Sequence, residues 1–103
     1  MPNRIEAIRN LLEQAPGDSR LRYMLANEFK NAGQLSEAVA EYRALLAADP
    51  SYGPAYYHGG QTLEQLGQID AAREIYLAGI EATTKNGDSH TRGELEAALA
   101  ILG

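Results

Sequence analysis

The chain has 103 residues, is rich in Ala and Leu, and contains no cysteine, so one modest core without disulfide staples is what its length and composition allow. A formal net charge of −5 argues against a general nucleic-acid binder. The longest apolar stretch, Ala97 to Leu102, is far short of a membrane span, and Arg4 and Glu6 stand where a signal peptide would carry its apolar core. No secretory or membrane signal is therefore expected, and the lack of cysteine agrees with a cytoplasmic location.

The first predicted element covers residues 3–15, with Ile5, Ile8, Leu11, Leu12 and Ala15 at helical spacing. Its other face, Arg4, Glu6, Arg9, Asn10, Glu13 and Gln14, is polar enough for a cap, and Pro16 closes it. A second helix is predicted from Ser19 to Asn31, with Leu21, Leu25, Ala26 and Phe29 on one side. Gly33 then suits a left-handed helix stop. A third runs from Leu35 to Ala48 and ends at Asp49-Pro50, because the residue before proline is pushed out of the helical region. The fourth is Gly53 to Leu66, followed by a turn at Gly67-Gln68. The fifth starts at Ile69 and runs to about Thr84, and the last occupies 88–102.

These elements repeat. Shifted by 34 residues, Pro16 meets Pro50, Tyr23 meets Tyr57, Gly33 meets Gly67, Gln34 meets Gln68, Ala38 meets Ala72 and Tyr42 meets Tyr76, with no gap. Gly17-Asp18-Ser19 recurs as Gly87-Asp88-Ser89 at a spacing of 70, two more than twice 34. Two extra residues are thus expected in the Lys85-Asn86-Gly87 turn, and with that shift Arg92, Leu95 and Leu99 match Arg22, Leu25 and Phe29. The expected architecture is all-α. It is an α–α superhelix of six helices, with a half-unit helix (3–15), a first unit (19–50), a second unit (53–84) and a capping helix (88–102) in a single domain.

The pattern resembles the tetratricopeptide repeat. The first unit supplies Arg22, Leu25-Ala26, Phe29, Gly33, Ala38, Tyr42 and Pro50. The second supplies Tyr56, Gly59-Gly60, Leu63, Gly67, Ala72 and Tyr76. Arg22 replaces a bulky aromatic, Gly59 replaces Leu, and Thr84 replaces the closing Pro. Glycine inside a helix costs about 1 kcal/mol, so Gly59-Gly60 points to close helix packing or, more sharply, to a hinge or a backbone contact with a ligand.

The resemblance implies a concave face lined by the first helix of each unit, which binds a peptide or a partner protein. Carried over, it gives Arg20, Tyr23, Met24, Asn27, Lys30 and Asn31 from the first unit. The second gives Tyr57, His58, Gln61, Glu64 and Gln65, with His90 and Glu94 extending the face. Tyr23 and Tyr57 are expected to form a short aromatic ladder, and Asn27 and Gln61 to hydrogen-bond a peptide backbone. The plainer alternative is the wet side of two amphipathic helices. The family's clamp for a chaperone C-terminal carboxylate is not expected, because only Asn27 matches its basic and amide pattern.

Residues 1–30 carry five bases and four acids and residues 31–103 four bases and ten acids, so an acidic partner is tolerated best near the first third. Enzyme chemistry is not expected. Two histidines without cysteine or a carboxylate cluster make a poor metal site, no phosphate-cradling loop is present, and Asp18 and Asp88 sit where helix caps belong. No cofactor, metal, nucleic acid or membrane is expected as a partner. A monomer is the first expectation. The alternative is weak self-association through Ala97, Ala100 and Ile101, on the reasoning that no further helix covers the last one.

Overall fold

The computed structural model describes residues 3–103. Among them are six helices and no strand: α1 (Arg4–Gln14), α2 (Ser19–Asn31), α3 (Leu35–Ala48), α4 (Gly53–Gln65), α5 (Ile69–Asn86) and α6 (Ser89–Leu102). Three of them start on a side-chain cap, which satisfies a backbone N–H that the helix leaves orphaned. Asn3 Oδ1 accepts from Glu6 N at 2.9 Å, Asp18 Oδ1 from Leu21 N at 3.0 Å, and Asp88 Oδ1 from Thr91 N at 3.1 Å.

The two hairpin turns are built alike. Gly33 and Gly67 each have φ 78°, the left-handed conformation that glycine adopts without penalty. In the first turn Gln34 N donates to Phe29 O and Gly33 N to Lys30 O. In the second, Gln68 N donates to Leu63 O and Gly67 N to Glu64 O. Both pairs satisfy carbonyls at the helix end in the Schellman pattern. The chain thus reverses by the same device in both units and lays α3 along α2 and α5 along α4.

α5 continues to Asn86, so the two residues beyond the 34-residue register lengthen the helix rather than the turn. Gly87, with φ 77°, is the cap that stops it. Nothing between Thr84 and Asn86 breaks a helix, and Thr84 Oγ1 bonds back to Ile80 O at 2.7 Å within it.

Each helix packs on the next in sequence, and α4 also touches both α2 and α6. The core has two clusters. One gathers Ile8, Leu12, Leu25, Ala26, Phe29, Ala38, Tyr42, Leu45 and Ala55; the other Tyr56, Leu63, Ala72, Ile75, Tyr76 and Leu95. Leu46 packs against both and joins them. Tyr42 and Tyr76 are fully buried. α1 is held by apolar contact, by the Arg4–Glu28 ion pair at 2.7 Å, and by Arg9 over the Phe29 ring at 5.2 Å.

Close approach explains the buried glycines. A Cβ on Gly79 would lie 2.6 Å from Tyr56 Cβ and 2.8 Å from Leu95 Cδ1, so its absence lets α4 and α6 both close on α5. Gly93 is the opposite case. It lies inside α6, and a Cβ there would meet nothing within 4 Å. Gly93→Ala is therefore expected to raise stability by about 0.5–1 kcal/mol, the ordinary cost of glycine in a helix. An upward shift of the urea midpoint at unchanged slope would record this.

Arg22, standing where the resemblance calls for an aromatic, reaches from α2 to α3 and pairs with Glu41 at 2.9 Å. Its counterpart Arg92 lies along α6 beside Glu96 at 3.7 Å. Glu96 occupies the register of Ala26 and Gly60, both buried where the following helix packs. α6 thus carries an ion pair on the side that the earlier units use for helix contact.

The Asp88 cap gives a pH-dependent prediction. Hydrogen bonds from the Thr91 side chain and backbone hold the Asp88 carboxyl below its usual range. A carboxylate depressed in the folded state stabilises above the unfolded pKa and loses that contribution as pH falls through the folded one. Asp88→Ala is expected to cost about 1 kcal/mol at neutral pH. The gap to the unaltered protein should shrink below about pH 4, and denaturant melts at pH 7 and pH 3 measure both quantities.

Candidate functional site

The contacts of α4 with α2 and α6 bring three first-type helices side by side, and their shared face is the candidate site. At its α2–α4 end stands an aromatic group. The Tyr23 ring lies 5.2 Å from Tyr52, 5.8 Å from His58 and 6.4 Å from Tyr42, and His58 meets Tyr57 edge-on at 5.3 Å. Tyr23 and Tyr57 are therefore linked through His58. Residues 57 and 58 point about 100° apart around a helix, and it is His58 that turns toward α2.

Burial pushes the Tyr23 hydroxyl pKa up, opposed by a hydrogen bond with Asn27. Burial and the Lys30 charge push His58 below its ordinary value, with Glu94 acting against them. The His58 ring is accordingly neutral at pH 7 and offers an aromatic face with polar nitrogens rather than a cation. Burial also lowers the Lys30 pKa.

The two amides differ in their engagements. Asn27 accepts a hydrogen bond from the buried Tyr42 hydroxyl, whereas Gln61 Nε2 donates to the Tyr57 hydroxyl at 2.9 Å. The Tyr76 hydroxyl, the repeat partner of Tyr42, donates to Glu64. Burial first, and then that carboxylate, raise the Tyr76 pKa.

At the α4–α6 end the face deepens into a cleft of about 320 Å³, lined by Tyr57, Gln61 and Glu64 and by Glu94, Ala97 and Ile101. Ile101 is 87% exposed. The self-association alternative reads Ala97, Ala100 and Ile101 as uncovered; all three are exposed, and Ala97 and Ile101 line this cleft. Their register is readable: 70 residues before them stand Asn27 and Asn31, groove positions of the first unit.

The remaining expected residues are less central. Arg20 is exposed near Tyr52, which feels its charge. Asn31 faces a hollow beside α1 with Asn3, Arg4 and Glu28. Gln65 is exposed beside Gln61 and Glu64. Met24 packs against the first core cluster. His90 is exposed and lies 3.6 Å from Glu94. Tyr52, in the lead-in to α4, was not among the expected residues, and no motif marks it.

A larger hollow of about 510 Å³ opens between the α3–α4 turn and α5, lined by Pro50, Tyr56, Ala78, Ala82, Lys85 and others. Its counterpart one unit earlier, with Pro16, Arg22 and Ala48, is only about 20 Å³. Lys85 and Asn86, from the overrun of α5, form the additional wall. Among the described residues, no three His, Asp or Glu side chains gather to hold a metal ion, and no helix is long and apolar enough to cross a membrane.

Antiparallel helical hairpins stacked so that their first helices share one polar and aromatic face define a helical-repeat protein, a class that binds along such extended surfaces. The chain is similar to a tetratricopeptide repeat domain protein from Salinibacter ruber, solved by NMR, with 34% identity and a TM-score of 0.80 over 84% of this chain and 88% of that one. A protein from Bordetella parapertussis matches with 29% identity and a TM-score of 0.84 over 99% and 89% of the two chains. A TPR repeat-containing protein of Pseudomonas aeruginosa is 22% identical over 95% of this chain and 93% of its own length. The sequence profile of the tetratricopeptide repeat matches residues 31–99, and the chain belongs to that family.

Proposed function

We propose that this protein is an interaction module that holds a peptide or a segment of a partner protein along the face formed by α2, α4 and α6, acting as a scaffold rather than a catalyst. The observation that carries the reading is the continuity of that face. The ring group of Tyr23, His58 and Tyr57 leads directly into the cleft walled by Ala97 and Ile101. Tyrosine suits such a role, since it offers a large contact area with a polar tip.

Self-association has less support. Ala97 and Ile101 belong to the cleft, and the side of α6 on which a further hairpin would stack carries Arg92 and Glu96. A monomer is the state this reading expects, and sedimentation across a concentration series tests it.

The groove is tested by titrating a partner recovered by affinity capture into isotope-labelled protein. Amide shifts are expected at Tyr23, Asn27, Tyr57, Gln61 and Ile101. Shifts confined to Pro50, Ala78 and Ala82 would transfer the site to the larger hollow.

A further inference from the structure

We propose that the α4–α6 half of the groove selects a segment carrying a lysine or arginine beside an aliphatic side chain. The inference rests on the groove reading above and adds the chemistry of the occupant. The cleft has two unlike walls. One is apolar, formed by the methyls of Ala97 and by Ile101, which is 87% exposed. Exposed aliphatic carbon in a concave site gains from being covered by more of the same. The other wall carries two carboxylates, Glu64 and Glu94.

Neither carboxylate has a permanent cation against it among the described residues. Glu64 accepts a hydrogen bond from the neutral Tyr76 hydroxyl, and Glu94 has His90 at 3.6 Å, a partner that is charged only when protonated. The other half of the groove differs, because Lys30 stands at the register that Glu64 holds in the second unit. Residues 31–103 carry ten acids against four bases, so the wider field around the cleft also favours a cationic group.

The size agrees. About 320 Å³ lies at the lower edge of the ~300–1,000 Å³ range of small-molecule pockets. That is room for a few side chains. The larger hollow near α5 has no comparable polarity, because its Glu81 and Lys85 pair with each other at 3.4 Å.

The test uses three peptides of equal length, flanked alike and differing only in a central tract of alternating residues: Lys and Leu, Glu and Leu, or Lys and Ser. Each is titrated into isotope-labelled protein at about 150 mM salt, where distant surface charges are screened. The Lys/Leu peptide is expected to bind at Gln61, Ala97 and Ile101, about tenfold tighter than the Glu/Leu peptide, which corresponds to roughly fivefold or less per partly exposed pair. Glu94→Gln, an exposed change that leaves the core untouched, should weaken the Lys/Leu peptide by a few-fold. Ile101→Ser should bring it level with the Lys/Ser peptide.

Equal binding of the Lys/Leu and Glu/Leu peptides in the cleft would overturn the charge assignment and leave the groove standing. Shifts only around Pro50 and Ala82 would overturn the groove itself. Failure of the Lys/Leu peptide to bind at millimolar concentration would overturn the selectivity proposed here.

Discussion

Tyr42→Ala is expected to remove about 3–5 kcal/mol of stability, in line with aromatic truncation in cores. The ring is fully buried, packs against Tyr23 and Gly59, and lies in the cluster joining α1, α2 and α3 to the start of α4. Removing it leaves a void that three packed helices cannot collapse around. For a chain of this length each kcal/mol lowers the thermal midpoint by about 4–8 °C, so the variant should melt well over 10 °C lower.

Tyr42→Phe separates the ring from its hydroxyl. It loses only the bond to Asn27, a half-buried group that water can still reach, so about 0.5–1.5 kcal/mol is expected. Calorimetry on both variants decides the matter. A Phe variant as unstable as the Ala variant would mean that the hydroxyl, not the ring, holds the first unit together.

Gly60→Ala is expected to destabilise even though alanine is the better helix former by about 1 kcal/mol. The added Cβ would sit 2.1 Å from Tyr76 Cε1 and 2.6 Å from its Cδ1. Tyr76 cannot swing aside easily, because it is fully buried and its hydroxyl is bonded to Glu64. Overpacking typically costs about 1–3 kcal/mol, so the net effect should be a loss of that order or slightly less.

Gly59 makes the comparison informative. Its Cβ would meet Ile75 Cδ1 at 3.2 Å and Tyr42 Cβ at 3.4 Å, contacts that a flexible isoleucine tip can relieve. Gly59→Ala should therefore lie near neutral. Urea melts of the pair test whether close packing, rather than a hinge, is why two glycines stand together in α4; a stabilised Gly60→Ala would remove the packing explanation.

The fold was largely legible because its punctuation is local. Gly33 and Gly67 recur at the repeat spacing, Asp49-Pro50 closes α3, and Asp18 and Asp88 mark helix starts. Each acts through its own backbone conformation or through a hydrogen bond to a residue a few places on, so sequence alone carries it. The end of α5 was less legible. An insertion shows as a change of register, but a register says nothing about whether the added residues extend a helix or a turn, and only the chain of hydrogen bonds up to Gly87 decides that.

The face was legible as a set of positions and not as a set of contacts. Tyr23, Asn27, Tyr57 and Gln61 follow from the repeat, but the neighbours of Tyr23 depend on how α2 and α4 cross. His58 and Tyr52 meet it there. Ala97 and Ile101 had the right register and the wrong chemistry for a rule that looks for polar groups, and so they stood out as an uncovered patch. Three-dimensional closure of α6 against α4 is what makes them a wall of the cleft.

The hydrogen bond from Tyr76 to Glu64 runs from the interior to a residue of the cleft wall, and Tyr42 reaches Asn27 in the same way. A ligand that competes for the Glu64 carboxylate therefore alters the surroundings of a ring that solvent never touches. The chain has six tyrosines and no tryptophan, so its own ultraviolet emission comes from residues of this kind. Occupancy of the groove should be visible as a change in that emission, with no dye attached and no probe residue introduced.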